Sequence, residues 1–200
     1  MADKAARIIA VAREAFLEKG YDGVSMDEVA KRAGVAKQTV YARYDSKDAL
    51  FLAVVDSVER RVVSALSTPG PLAIRDRLQR IAREFLELVL DPSILSLCRI
   101  ALAASYRFPT LGRSIYETDV KESHAVVVDI IERAAKDGSL LVDDAPDAAE
   151  QFLALVKGEL HSHCLFDPSF RPTRAQIKRQ LDAAIDCFMA RYGTPAALSV

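Results

Sequence analysis

The chain has 200 residues, half of them hydrophobic, with eight glycines and eight prolines, and this composition excludes collagen-like and disordered proteins. Its formal net charge of −1 excludes a uniformly basic nucleic-acid coat, so any DNA-binding surface depends on local charge placement. Residues 1–47 carry nine Lys and Arg against seven Asp and Glu, a small local excess of positive charge.

The three cysteines, Cys98, Cys164 and Cys187, are scattered and form no Cys-x-x-Cys pair. This spacing argues against a disulfide framework or a zinc finger and favours reduced thiols in a cytoplasmic protein. No uncharged apolar run approaches the roughly 18 residues that span a bilayer, so we expect no membrane partner.

Helical periodicity dominates the chain from its N-terminus. The first predicted helix carries an apolar stripe made of Ile8, Ile9, Ala12, Ala15 and Phe16. Gly20 is expected to end this helix, and Asp22-Gly23 favours a turn. The pattern therefore predicts an all-α fold that begins with an amphipathic helix.

A strong helix-start signal follows the turn. Ser25 and Glu28 have the spacing of a capping box, and Val24 with Val29 has that of its hydrophobic staple. A short helix is expected to end at Gly34.

A second short helix is predicted over about 37–44, and either Asp45 or Ser46 then caps a long one. The long helix repeats apolar residues at helical spacing, namely Phe51, Val54, Val55, Val58, Val62 and Leu66.

The segment from Thr68 to Pro71 interrupts the helical pattern. We predict further helices at about 71–90, 93–106, 109–137, 146–166 and 173–192. The predicted organisation is a small DNA-binding domain at 1–47, a larger helical domain at 48–192 and a loose tail at 193–200.

The segment 26–45 has the requirements of a helix-turn-helix. Ala30 is small enough for two helices to cross, and Gly34 permits the left-handed turn between them. Val29, Val35 and Val40 can lock the pair onto Phe16 of the first helix. The outer face of the second short helix then carries side chains suited to a major groove: Lys37, Gln38, Thr39, Tyr41 and Arg43.

This segment resembles the TetR family of regulators. The matching residues are Ile9, Ala12, Phe16, Gly20, Val29, Ala30, Ala33-Gly34-Val35, Thr39, Val40-Tyr41, Tyr44, Ser46-Lys47 and Leu50. The runs RFPTLGRSIYE and DDAPDAAEQFLALVKGEL are similar to the AefR-like subgroup. The resemblance implies a three-helix DNA-binding domain followed by a larger helical domain for ligand binding and dimerisation. It also implies a homodimeric repressor that leaves a near-palindromic operator when a small molecule binds.

Three residues depart from the family pattern at the second short helix. Ala36 stands where Ser is common, Gln38 where Gly or Ala is common, and Arg43 where His is common. Ala36 has no side-chain oxygen for capping, which leaves N–H groups that could bind a phosphate. Because Gln38 and Arg43 add an amide and a charge, a relative's operator sequence should not be transferred.

Roles on DNA follow from side-chain chemistry. Gln38 is expected to read a base, and the expected phosphate contacts are Lys37, Thr39, Tyr41 and Lys47. Ser25, Ala36 and Arg43 complete the candidate DNA-binding set. For Lys31 and Arg32, a phosphate contact and simple solvation remain equally open.

The later helices supply two further candidate sites. Wide apolar faces on the last two helices predict a dimer interface made of Phe152, Val156, Leu160, Leu181, Ala184, Ile185 and Phe188. The resemblance implies an internal ligand cavity, for which the candidate lining residues are Phe85, Leu102, Tyr106, Tyr116, His124 and Phe152.

Two other functional classes remain as alternatives: an architectural DNA-binding protein without an effector, and a helical-bundle enzyme. The enzyme is disfavoured because the sequence has no phosphate-binding glycine loop, nucleophile elbow or His-Glu-x-x-His motif. His161 and His163 cannot share an ion because residues two apart point to different sides of a helix. His161 with Cys164 is only one pair, so no metal or other cofactor is expected.

Overall fold

The computed structural model describes residues 2–66, 72–117 and 121–195. Within these ranges every regular element is an α-helix, as predicted from periodicity. The ten helices are α1 (Ala2–Lys19), α2 (Met26–Arg32), α3 (Lys37–Tyr41), α4 (Lys47–Leu66), α5 (Ile74–Val89), α6 (Pro92–Arg107), α7 (Pro109–Ile115), α8 (Lys121–Lys136), α9 (Ala145–Phe166) and α10 (Arg174–Tyr192). None of the described helices is both long and apolar enough to cross a bilayer.

The predicted single helix at 109–137 is divided into two helices, α7 and α8, and residues 118–120 between them lie outside the described residues. Helix α7 packs so closely on α6 that a Cβ at Gly112 would lie 2.4 Å from the Ser105 Cβ, whereas α8 packs on α9. Helical periodicity in the sequence does not indicate that the packing partner changes from α6 to α9. Helix α3 is also shorter than predicted, since it ends at Tyr41.

The contacts divide the chain into two compact units. Unit 1 contains Met1–Arg60 and Pro92–Val120, and so includes α1 to α3, most of α4, and α6 and α7. Its core joins Phe16 of α1 to Phe51 of α4, whose rings meet edge to face with centroids 4.8 Å apart. Leu97, Ala104 and Leu111 complete this core from α6 and α7.

Unit 2 contains Arg61–Asp91 and Lys121–Val200, and so includes α5, α8, α9 and α10. Phe152 of α9 and Phe188 of α10 are fully buried at its centre, with ring centroids 5.2 Å apart. These units differ from the predicted domains at 1–47 and 48–192, because α6 and α7 belong to the same unit as the N-terminal helices. The domain boundaries themselves remain a prediction.

The chain after α10 is anchored where it begins. Leu140 and Gly193 form an isolated antiparallel bridge, and the Leu141 N–H donates to the Tyr192 carbonyl at 2.7 Å. The Thr194 N–H also donates to the Ser139 carbonyl at 3.3 Å. Of the predicted loose tail, 193 and 194 are therefore held by backbone hydrogen bonds, and 196–200 lie outside the described residues.

Helix α9 has an internal break at Gly158. This glycine has φ 46° and ψ −151°, a non-helical conformation that L side chains rarely adopt. The Gln180 side chain of α10 enters the break and its Nε2 donates to the Leu155 carbonyl at 2.7 Å. A Cβ at Gly158 would lie 2.1 Å from that Nε2. The break therefore depends on a residue without a side chain and on an amide that replaces a lost helical hydrogen bond.

We predict that Gly158→Ala lowers the free energy of unfolding by about 2 kcal/mol, since the backbone is strained and the added methyl displaces Gln180. Gln180→Ala alone should cost about 1 kcal/mol through the lost hydrogen bond. The double variant should lose less than the sum, because the methyl then has no amide to displace. Urea denaturation followed by circular dichroism measures all three. Strict additivity would show that Gln180 and Gly158 are not coupled.

Candidate nucleic-acid interface

Helices α2 and α3 form a helix-turn-helix whose turn is closed by backbone hydrogen bonds. Gly34 has φ 63°, its N–H donates to the Lys31 carbonyl at 3.2 Å, and the Val35 N–H donates to the Ala30 carbonyl at 3.1 Å. This pair of bonds is a Schellman motif, which needs a left-handed residue at the position of Gly34. The predicted role of Gly34 is therefore confirmed.

Three side chains lock the helix pair to the rest of unit 1. Val29, Ala30 and Val40 are at most 3% exposed, and they belong to the same apolar cluster as Phe16. Because Val40 points inward from α3, the other side chains of that helix are left outside.

The start of α2 is capped as predicted, though only half of the capping box forms. The Glu28 N–H donates to Ser25 Oγ at 3.2 Å, and Val24 and Val29 are both buried, as the staple requires. The Glu28 carboxylate instead accepts from Lys19 Nζ at 2.5 Å. Ser25 is exposed, but its side-chain oxygen is already engaged by the helix.

The exposed side of α3 and the residues after it carry the predicted DNA-contacting side chains, and all are exposed: Lys37, Gln38, Thr39, Tyr41 and Arg43. Gln38, Thr39, Ala42 and Arg43 line one open depression of the surface. Ala36 is the N-cap of α3 and makes no side-chain capping bond. An amide, a hydroxyl and a guanidinium are thus presented together, which suits base edges and phosphates.

Lys37 is already paired in the free protein. Its Nζ lies 2.7 Å from Asp27 Oδ1 on α2 and 5.6 Å from the centre of the Tyr41 ring. The hydrogen bond to Asp27 raises the pKa of Lys37. Both partners of the ion pair are more than half exposed, so the pair is weak and open to exchange.

Lys47 lies over the ring of Tyr21, with Nζ 4.5 Å from the ring centre. The Tyr21 hydroxyl donates to the Asp48 carboxylate, and burial followed by this hydrogen bond raises the pKa of Tyr21. Ser46 caps α4, because its Oγ accepts from the Ala49 N–H at 3.1 Å. The candidate phosphate contact at the start of α4 is therefore placed by a buried tyrosine.

Arg32 is engaged on the protein surface. Its guanidinium donates to both carboxylate oxygens of Glu18, at 2.8 and 2.9 Å, and this pairing raises the pKa of Arg32. Lys31 is exposed. A DNA contact by Arg32 would require its bidentate ion pair with Glu18 to break. This pairing therefore favours a role for Arg32 in positioning α2 against α1.

The six candidate pocket residues fall into different units. Phe85 and Phe152 are buried in the core of unit 2, and His124 of the same unit lies 3.0 Å from the Pro146 carbonyl. Unit 1 contains the other three, with exposed fractions of 59% for Leu102, 91% for Tyr106 and 65% for Tyr116. Neither unit gathers the whole set around one cavity.

The predicted dimer residues lie mainly inside unit 2. Six of the seven are buried in its own core: Phe152, Val156, Leu181, Ala184, Ile185 and Phe188. Only Leu160 is part-exposed. Sequence periodicity identified the apolar faces of α9 and α10, but these faces are already buried in the core of unit 2 within one chain.

The cluster His161, His163 and Cys164 does not converge. The His163 ring stacks on Phe170 with centroids 3.6 Å apart, and Cys164 is buried. Within the described ranges no group of three or more His, Cys, Asp or Glu residues is arranged to hold a metal ion.

Comparison with known families covers both parts of the chain. Residues 8–54 match the family described as bacterial regulatory proteins, tetR family. Residues 76–194 match the AefR-like transcriptional repressor, C-terminal domain. The chain belongs to the TetR family of transcriptional regulators.

Solved structures agree with this assignment. A TetR-family regulator from Mesorhizobium loti is 32% identical with a TM-score of 0.84, covering 96% of this chain and 98% of that one. The flavonoid-responsive regulator FrrA is 30% identical with a TM-score of 0.80, covering 98% and 100%. The transcriptional activator FasR of Mycolicibacterium smegmatis is 34% identical over 91 residues, which cover 44% of this chain and 41% of FasR.

In this TetR-family regulator the helix-turn-helix of α2 and α3 is the DNA-binding element. Sequence reasoning identified its outward side chains, but it missed Asp27, Tyr21 and Asp48, which hold Lys37 and support Lys47. Nothing in the linear pattern relates Asp27 to Lys37, because the two meet only after the chain reverses at Gly34.

We predict that Asp27→Asn tightens binding to DNA of mixed sequence by about two- to fivefold per chain, since it frees Lys37 and removes a charge that repels phosphate. Fluorescence anisotropy with a labelled duplex measures the change. Asp45→Asn is the matched control, because it removes an equal charge from an exposed position of the same segment. Equal effects of the two variants would show that the ion pair with Lys37 has no role.

Proposed function

We propose that this regulator is a homodimeric repressor that occupies a near-palindromic operator and is released by a small molecule. The observation that carries the proposal is the exposed surface formed by Gln38 and Thr39 of α3 with Arg43 just after it, on a helix anchored in the core by buried Val40. The match of 76–194 to a repressor family supports the direction of regulation. FasR is named an activator, so a reporter gene fused to the selected operator is needed to decide the sign.

On DNA, Gln38 is the proposed base reader, because its amide can pair bidentately with adenine. Lys37, Thr39, Tyr41 and Lys47 are the proposed phosphate contacts, and Arg43 adds positive charge beside them. A two-fold axis would place the two α3 helices about 34–36 Å apart on successive major grooves. Arg43 and Gln38 lie on the same depression, so a second base contact by Arg43 is compatible with this arrangement.

We predict different effects for Gln38→Ala and Lys47→Ala. Loss of the amide should relax preference at one base pair per half-site, at about 1–3 kcal/mol of discrimination. Loss of the Lys47 charge should weaken binding to every sequence and reduce the salt slope by about one per subunit. Selection from a random DNA pool, followed by salt titrations, measures both. A consensus unchanged by Gln38→Ala would exclude Gln38 as a reader.

The proposed dimer contact lies on exposed parts of α9 and α10. On α10, Ala183, Cys187 and Ala190 are exposed and follow one another at helical spacing, and on α9 Phe166 is 86% exposed. Small residues allow two helices to approach closely, as a four-helix interface across a two-fold axis requires. This surface replaces the buried residues Ala184 and Ile185 as the place to test dimerisation.

We predict that Ala183→Arg gives a folded monomer with weakened operator binding, because it places a charge in the proposed helix contact without entering the core of unit 2. Light scattering measures the mass, and circular dichroism confirms the helices. Ala10→Arg, an equal change at an exposed position of α1, should leave the dimer intact. A dimeric Ala183→Arg protein would place the interface elsewhere.

The proposed effector site is in unit 2, which contains Phe85, His124 and Phe152 of the predicted lining. The name of FrrA reports that it responds to flavonoids, so flavonoids are the first compounds to test. By linkage, operator DNA should weaken effector binding by the same factor by which effector weakens operator binding, typically about 5–150-fold. An architectural DNA-binding protein would show no such reciprocity.

A further inference from the structure

Unit 1 contains a cleft that the proposed function does not use. It lies between the C-terminal end of α1 with the turn that follows and one side of α6, and its volume is about 390 Å³. Tyr21, Ile100, Ala103 and Ala104 contribute its apolar lining. Small-molecule sites in proteins typically have volumes of roughly 300–1,000 Å³ and mostly apolar walls with a few polar groups.

The charges around this cleft are unbalanced. Among the residues that line it, Lys19, Arg99 and Arg107 are cationic and Asp22 is the single carboxylate. The chain as a whole has a net charge of −1, so the positive rim is a local feature. An anionic group would therefore be attracted to the cleft.

The ion pair of Arg107 at the rim can be exchanged at little cost. Arg107 pairs with Asp22, and the two side chains are 61% and 60% exposed, which is the setting in which ion pairs contribute little free energy. Lys19 pairs with Glu28 at 2.5 Å, pointing its charge toward α2. Arg107 is thus the rim cation best placed to take a ligand carboxylate, whereas Arg99 on the same helix already donates to Ser96 Oγ at 3.5 Å.

We propose that the α1–α6 cleft of unit 1 binds a small amphipathic carboxylate. Its apolar body would contact Ile100 and Ala103, and its carboxylate would bind the guanidinium group of Arg107. Guanidinium suits this role because its planar fork matches a carboxylate bidentately. This site is separate from the effector site proposed in unit 2.

A DNA phosphate is the other anion that a positive rim could take. The concave shape and apolar lining favour a small molecule, because phosphate contacts use exposed cations and do not need a hydrophobic floor. Occupancy would act on the turn that holds Tyr21, and Tyr21 in turn contacts Asp48 and Lys47 at the start of α4. A ligand here therefore has a direct path to a candidate phosphate contact.

The test uses the full chain labelled at isoleucine δ1 methyls, titrated with 1-naphthoate and, separately, with the neutral 1-naphthamide. The expected result is a saturable shift of the Ile100 methyl with 1-naphthoate at a Kd below about 1 mM. The amide should bind about tenfold more weakly or not at all, because it lacks the charge. Ile8, which is buried elsewhere in unit 1, reports whether the fold is unchanged.

Arg107→Gln should weaken 1-naphthoate at least about tenfold while the Ile8 methyl keeps its shift. Arg113→Gln is the matched control, since it removes the same charge from an exposed position of α7 outside the cleft. The proposal is overturned if 1-naphthoate shifts only Ile81, Ile130 and Ile131 of unit 2, or if acid and amide bind equally. It is also overturned if Ile100 responds to a DNA duplex and not to 1-naphthoate. None of these results depends on operator recognition.

Discussion

The arrangement of unit 1 depends on the aromatic cluster around Tyr21. Its ring centre lies 6.1 Å from that of Phe16, and 5.3 Å from those of both Phe51 and Phe108. One side chain therefore contacts α1, α4 and the junction of α6 with α7. Each aromatic pair adds about 0.5–1.5 kcal/mol beyond the area that it buries. Because the Tyr21 hydroxyl also binds Asp48 and its ring lies beneath Lys47, the same cluster contacts the first turn of α4.

The proposed DNA-contacting residue Lys37 and two cations near it in unit 1 already have partners. Lys37 pairs with Asp27, Arg32 with Glu18 and Lys19 with Glu28. The Lys37–Asp27 pair is more than half exposed on both sides, and such pairs contribute little to stability, so a phosphate can take the place of Asp27 at small cost. Under the proposed function, a chain with a net charge of −1 would bind DNA through a cation such as Lys37, which folding places on the exposed face and which exchanges its carboxylate for a phosphate. The affinity for DNA would then depend on competition between the protein's own carboxylates and the DNA phosphates for the same cation.

Unit 2 shows how apolar surface is divided between a core and an outer face. Apart from Phe166 at the end of α9, the phenylalanines of α9 and α10 point inward, where Phe152 and Phe188 meet. The outer face of α10 retains small residues such as Ala183 and Ala190. The break at Gly158 lets Gln180 of α10 reach the backbone of α9, so the two helices are joined by a polar contact as well as by packing. A continuous helix would have satisfied the Leu155 carbonyl internally and left no place for this amide.

The sequence by itself determined the all-α fold, the helix-turn-helix and the inward or outward direction of its side chains. These depend on short-range patterns: helical spacing, the Ser25 cap and the left-handed Gly34, each read within a few residues. Only the tertiary structure decided which apolar faces cover each other, and so it placed Ala184 and Ile185 in a core and left Tyr106 exposed. It also decided the pairing of Asp27 with Lys37 and the insertion of Gln180 at Gly158. Helical periodicity shows that a residue faces something apolar, but the partner is chosen by packing between segments far apart in the chain, and no local pattern records that choice.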